Sequence, residues 1–107
     1  MPTVKQVNVA INTDDVFGVS SSATQVLEKT SDRRSLSIQN VGATKVYVRF
    51  GSAPALGGTK QYSFILAPAS GSEEGDGGVL TVDNYNGSVW VATASGTSTI
   101  VATDFVG

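Results

Sequence analysis

The chain has 107 residues, a net charge of −2 and neither cysteine nor histidine. That length suffices for one domain and not two. The missing side chains exclude disulfides, thiolate nucleophiles, Ser-His-Asp chemistry and ordinary zinc sites. An acidic balance argues against a nucleic-acid-binding basic face. No apolar run approaches the roughly 20 residues of a membrane helix, and no secretory leader is expected. Charged residues make up 15%, below the roughly 25% of an average soluble domain. Much of the surface is therefore neutral, as in proteins held within assemblies and also in secreted β-domains.

Valine is the commonest residue and glycines separate the apolar runs. β-branched side chains suit a pleated sheet, and no stretch of ten residues sustains a helical period. The first run, Val4–Ile11, alternates at Val7, Val9 and Ile11. Asn12 to Asp15 reads as a turn, and Val16, Phe17 and Val19 form a short second run interrupted by Gly18. Thr24–Lys29 is a weaker strand, with Val26 and Leu27 as its apolar content. Arg34–Asn40 alternates, with Leu36 and Ile38 on one face. Lys45–Phe50 follows, with Val46, Val48 and Phe50 inward and Tyr47 and Arg49 outward. The short Gly-bearing link between these two runs predicts a β-hairpin.

Residues 51–59 form a loop, Gln61–Leu66 a strand, and 69–78 an acidic, glycine-rich loop. Val79–Asp83 and Ser88–Thr93 flank an Asn86-Gly87 pair, a strong hairpin signal. Thr97–Thr103 closes the chain after a Ser95-Gly96 turn. The whole reads as a single all-β domain, residues 1–107. The expected architecture is an antiparallel β-sandwich, jelly-roll or Ig-like, of seven to eight short strands. Its inward set should be Val7, Val9, Leu36, Ile38, Val46, Val48, Phe50, Phe64, Leu66, Leu80, Val82, Val89, Val91 and Val101. Residues 1–23 alternate less clearly and leave two readings, an integral strand pair or an N-terminal assembly arm.

Candidate chemistry is sparse. Asp14 and Asp15 are neighbours and point apart in a strand or turn. Glu73, Glu74 and Asp76 share a loop, but their spacing matches no calcium motif. No phosphate-binding loop appears. No catalytic residue, metal site or cofactor is expected, nor a small-molecule substrate. A partner interface is the better reading, because Trp, Tyr and Arg are favoured there. The candidates are Val7, Val9 and Phe17 of the arm, the Arg33-Arg34 pair, Tyr47, Arg49 and Trp90. Trp90 lies outward if Val89 and Val91 face the core; a strand covered on both faces would bury it instead, a reading slightly favoured. Tyr85 between Asn84 and Asn86 suits a sugar site, although a turn already accounts for the asparagines.

Two segments, Arg34–Gly42 and Val46–Gly51, resemble a pattern in small virion proteins of tailed bacteriophages. There an Arg-x-x-Leu-x-Ile-x-Asn strand precedes an aliphatic-Tyr-x-x-Phe-Gly strand, a loop of small residues, a Leu-x-Pro turn and a Val/Ile-rich hairpin. Here the turn is Leu66-Ala67-Pro68, followed by Ala69-Ser70 where that pattern has glycine. The resemblance covers about residues 33–103 and implies a structural role. The expected function is a capsid decoration, or cement, protein on the outer surface of the virion, bridging major capsid protein subunits. It would be a homo-oligomer, with a trimer suiting threefold lattice positions. A carbohydrate-binding or receptor-adhesion module of a fibre or tail is the alternative.

Overall fold

The computed structural model describes residues 10–71 and 75–106, with side chains from residue 15 onward. The described residues form eight strands: β1 (Ala10–Val19), β2 (Thr24–Leu27), β3 (Arg33–Asn40), β4 (Val46–Phe50), β5 (Phe64–Leu66), β6 (Val79–Asp83), β7 (Val89–Ala92) and β8 (Ser98–Val106). They build two four-stranded sheets, ordered β1-β8-β3-β6 and β2-β7-β4-β5. Every pairing is antiparallel. The pairs are nested: β4 with β5, β3 with β6, β2 with β7, β1 with β8. A long antiparallel ribbon rolled onto itself gives this order, and it is the jelly roll. The Ig-like alternative pairs its first two strands in one sheet, whereas β1 and β2 lie in different sheets.

The core lies between the sheets. Leu36, Ile38 and Ile100 of one sheet and Val46, Val48, Val89 and Val91 of the other are fully buried. Val19, Val26, Leu27, Leu66, Leu80 and Ala102 complete it, and Phe17, Phe50, Val82 and Tyr85 pack against it.

The expected β3–β4 hairpin is instead an arch, since its strands belong to different sheets. Alternation does not separate the two arrangements. In a hairpin both apolar faces share one side of one sheet; in an arch they meet across the sandwich. Asn40 makes the corner. Its Nδ2 donates to the carbonyls of Thr44 (2.8 Å) and Leu66 (3.1 Å), while its Oδ1 accepts from the Gly42 amide (3.0 Å) and the Ser98 hydroxyl (2.8 Å). A Cβ at Gly42 would collide with the Ser98 hydroxyl and the Thr99 amide, so β8 approaches the corner only because that position is glycine. The β6–β7 and β7–β8 links also cross between sheets. Asn84 takes a left-handed φ of 63° at the first crossing, as asparagine tolerates.

Three further expectations change. Asn12 to Asp15 is not a turn: β1 runs through it, pairing with β8 and bulging between Ile11 and Thr13. Long-range ladder bonds override local turn preference there. Within the expected arm, Ala10–Val19 is thus a sheet strand and Val19 is core. The arm reading therefore does not extend over these residues; Val7 and Val9, with the rest of 1–9, lie outside the described residues. Val101 faces outward, because β8 turns Ser98, Ile100, Ala102 and Asp104 inward. Its run of adjacent apolar residues gave no alternation to fix the register. Phe64 follows the inward register of Val48, yet is 44% exposed because β5 is an edge strand. Its ring still meets Phe50, at 5.6 Å.

Candidate interaction face

Alternation in β7 and β4 sends Val89, Val91, Val46 and Val48 into the core and turns Trp90, Tyr47 and Arg49 to the other side of the sheet. Cross-strand register then assembles two rows on that outer face. One row runs Gln25, Trp90, Arg49, and the next runs Ala92, Tyr47, Ile65. Trp90, Tyr47 and Arg49 are half-buried, so Trp90 is not covered as the two-sided reading required. Tyr62 stands edge-on to Tyr47, with centroids 5.1 Å apart. Tyr62 and Ile65 are 40% and 44% exposed.

The face is held stiffly. Arg49 Nη1 donates to the Ala53 carbonyl at 3.2 Å and to Gln61 Oε1 at 3.1 Å. These bonds fix both ends of the long β4–β5 loop, which a backbone bridge between Ala55 and Gln61 also closes. Trp90 Nε1 donates to Ser88 Oγ at 3.3 Å. Anchored aromatic and guanidinium groups lose little entropy on binding.

The opposite outer face differs in chemistry. It carries Ser35, Ser37, Thr81, Thr99 and Thr103 with the exposed aliphatic residues Val16 and Val79 and the half-buried Val101 and Phe105. Trp and Tyr, the residue types that dominate interface energetics, are not on the described part of it.

Among the expected interface residues, Tyr47, Arg49 and Trp90 come together and the others do not. Arg33 is a correction. A bulge between Arg33 and Ser35 turns its side chain inward, where it is 0% exposed. Its guanidinium donates to the carbonyls of Glu28 (2.6 Å), Gly87 (2.7 Å) and Tyr85 (3.3 Å), and pairs with Asp104 at 3.4 Å. It ties strand ends together in the interior. Arg34 is exposed, beside Asn84 and Asn86 in a shallow polar depression. Phe17 packs against the core.

Tyr85, the candidate for a sugar site, is already engaged within the domain. Its ring stacks on Phe50 at 4.9 Å and its hydroxyl donates to the Ser88 carbonyl, so one ring face and the hydroxyl are held by the domain itself. Glu73 and Glu74 lie outside the described residues. Asp76 accepts from the Ser70 amide at 2.9 Å. The Ser70 hydroxyl, then its amide, hold the Asp76 carboxyl below its ordinary value.

Tyr62, Ile65, Gln25 and Gln61 were missed from sequence. The one signal for Gln61, Tyr62 and Ile65 is an aromatic-aliphatic run directly after a glycine-rich loop; Gln25 lies in the weaker strand Thr24–Leu27, and nothing there marks it. Comparison with protein families, curated proteins and solved structures finds no match.

Proposed function

We propose that this chain is a structural virion protein of a tailed bacteriophage, a capsid decoration protein with no catalytic role. It docks on the outer capsid surface through the β2-β7-β4-β5 face. One observation carries the reading: register gathers Trp90, Arg49, Tyr47 and Ile65, with Tyr62 beside them, into one rigid outward patch. Such a patch is an anchor for protein association, and the phage-like pattern of β3 and β4 supplies the class of partner. Clamping would work by linkage, since a protein that binds only the assembled lattice stabilises it. A trimer would multiply a modest contact through avidity.

The test is sedimentation of recombinant protein with undecorated heads. Trp90→Ala should weaken binding by about thirtyfold, the roughly 2 kcal/mol of an interface hot spot. Val16→Ser, on the other outer face, should bind like the parent. Equal binding by Trp90→Ala, or density confined to the tail, would overturn the proposal; saturable glycan binding through Trp90 would support adhesion in its place.

A further inference from the structure

The two sheets leave four edge strands, β1 and β6 in one, β2 and β5 in the other. An open edge invites strand pairing unless something blunts it. β1 bulges between Ile11 and Thr13 and carries Asp14 and Asp15. β2 has four residues and a register shift between Gln25 and Leu27. β5 has three residues, with Pro68 soon after its end. β6 is different. Its five residues, Val79-Leu80-Thr81-Val82-Asp83, keep an unbroken register with β3. The Asn40 amide on the Gly78 carbonyl and the Asn84 amide on the Arg34 carbonyl, each at 2.9 Å, bracket that ladder. Antiparallel bonds alternate along a strand, so between these ends Leu80 and Val82 are the residues bonded to β3. The amides and carbonyls of Val79, Thr81 and Asp83 therefore point away from it, and all three residues are exposed.

This side of the sandwich is also the apolar one. Among the described residues, the exposed large hydrophobic side chains are Val16, Tyr62, Phe64, Ile65 and Val79, and all but Val16 lie in or beside β5 and β6. We propose that the β6 edge pairs with the β6 edge of a second copy, antiparallel, about a twofold axis at Thr81. The segment is self-complementary in that register. Thr81 meets its own counterpart, and Val79 exchanges backbone bonds with Asp83 of the second copy. Leu80 stands opposite Val82 on the inward side, which carries the core across the joint. The two Asp83 carboxylates are held about 13 Å apart along the strands. Each strand start, near the exposed Asp76, comes beside a strand end, near the exposed Arg34. Such a pairing closes at two copies, and it adds a strand by main-chain bonds with side chains setting the register. A five-residue joint is small beside the roughly 1,200 Å² of a stable interface, so association in solution should be weak. The joint uses neither Trp90 nor its face, and stands apart from the docking reading.

The experiment is sedimentation equilibrium of the full chain from about 10 μM to about 1 mM, with amide hydrogen exchange followed by NMR at both ends of that range. The mass should rise toward that of a dimer. Exchange at Val79, Thr81 and Asp83 should slow severalfold with concentration, while Leu80 and Val82, already bonded to β3, stay as they are. Thr81→Glu sets two carboxylates face to face and should weaken association at least about tenfold. An equimolar mixture of Thr81→Glu and Thr81→Lys should restore the dimer, because the facing pair then attracts. Val16→Glu adds the same charge on β1, at the far edge of the same sheet, and should associate like the parent. Thr81 and Val16 are both exposed, so the variants should keep the parent's circular dichroism. Trp90→Ala should leave the dimer intact, so the edge and the docking face stand or fall separately. A monomer at the highest concentration, equal weakening by Val16→Glu, or no recovery in the mixture would overturn the proposal.

Discussion

Arg33 and Arg34 are identical neighbours in sequence, and the fold gives them opposite environments. A single bulge in β3 sends one to the interior and leaves the other in solvent. Nothing in the local pattern marks that bulge, so Arg33 read as a surface residue. Asp104 was equally hidden, in a strand whose apolar residues do not alternate. Removing the Arg33 side chain strands the Asp104 carboxylate in the interior. Breaking a buried pair from one side costs about 3–5 kcal/mol, a large part of a small domain's stability. Arg33→Ala should therefore shift the urea midpoint strongly, whereas Arg34→Ala should stay within about 0.5 kcal/mol of the parent. Replacing both partners, Arg33→Met with Asp104→Leu, should recover part of the loss, because no charge is then left buried. Equal denaturation midpoints for Arg33→Ala and Arg34→Ala would show that the clamp contributes nothing.

At the scale of elements, β3, β4 and β7 were the most legible, because each alternates over a face covered on one side. The same alternation placed Trp90, Tyr47 and Arg49 opposite the valines, which is why half of the candidate face was visible in advance. Which strands pair was not visible, since an arch and a hairpin share one pattern. β1 was the least legible. Gly18, the polar run at Asn12 to Asp15 and the bulge all weaken its local signal, and its strand character comes from β8. In the structure β1 covers the edge of β8 along its whole length. Deleting residues 1–19 would therefore uncover the ladder groups of β8 and open the core at Val19. An unpaired apolar edge favours aggregation. The truncated chain is expected to be insoluble or to lack the far-ultraviolet β signature of the parent. A soluble truncation with the parent's circular dichroism would show instead that β1 is dispensable, as an assembly arm would be.

For the whole molecule, nesting of the pairs sets the order in which the fold can close. The innermost pair, β4 with β5, closes the loop at residues 51–63 and is, among the described strands, the one pair of neighbours in sequence that shares a sheet. The outermost pair joins β1 to β8 across nearly the whole chain. Closing that pair first would cost about 1.5 kcal/mol more in loop entropy, at about 0.6 kcal/mol per doubling of length. Once β4–β5 has formed, β3–β6 closes over the connectors 41–45 and 67–78, and β2–β7 and β1–β8 each need only a connector of about five residues on either side. The ribbon should zip from inside out, slowly, as non-local β topologies do. Two core valines report on this. Val46 sits in β4 and Val19 ends β1, and each is at most 2% exposed. Truncating either to alanine should cost about 2 kcal/mol through the lost methyls and the cavity left behind. The kinetic partition should differ: Val46→Ala should mainly slow folding, and Val19→Ala should mainly speed unfolding. Stopped-flow chevrons on the two variants measure both arms. A folding limb slowed by Val19→Ala and untouched by Val46→Ala would mean that the chain closes from its ends, and the inside-out order would have to be abandoned.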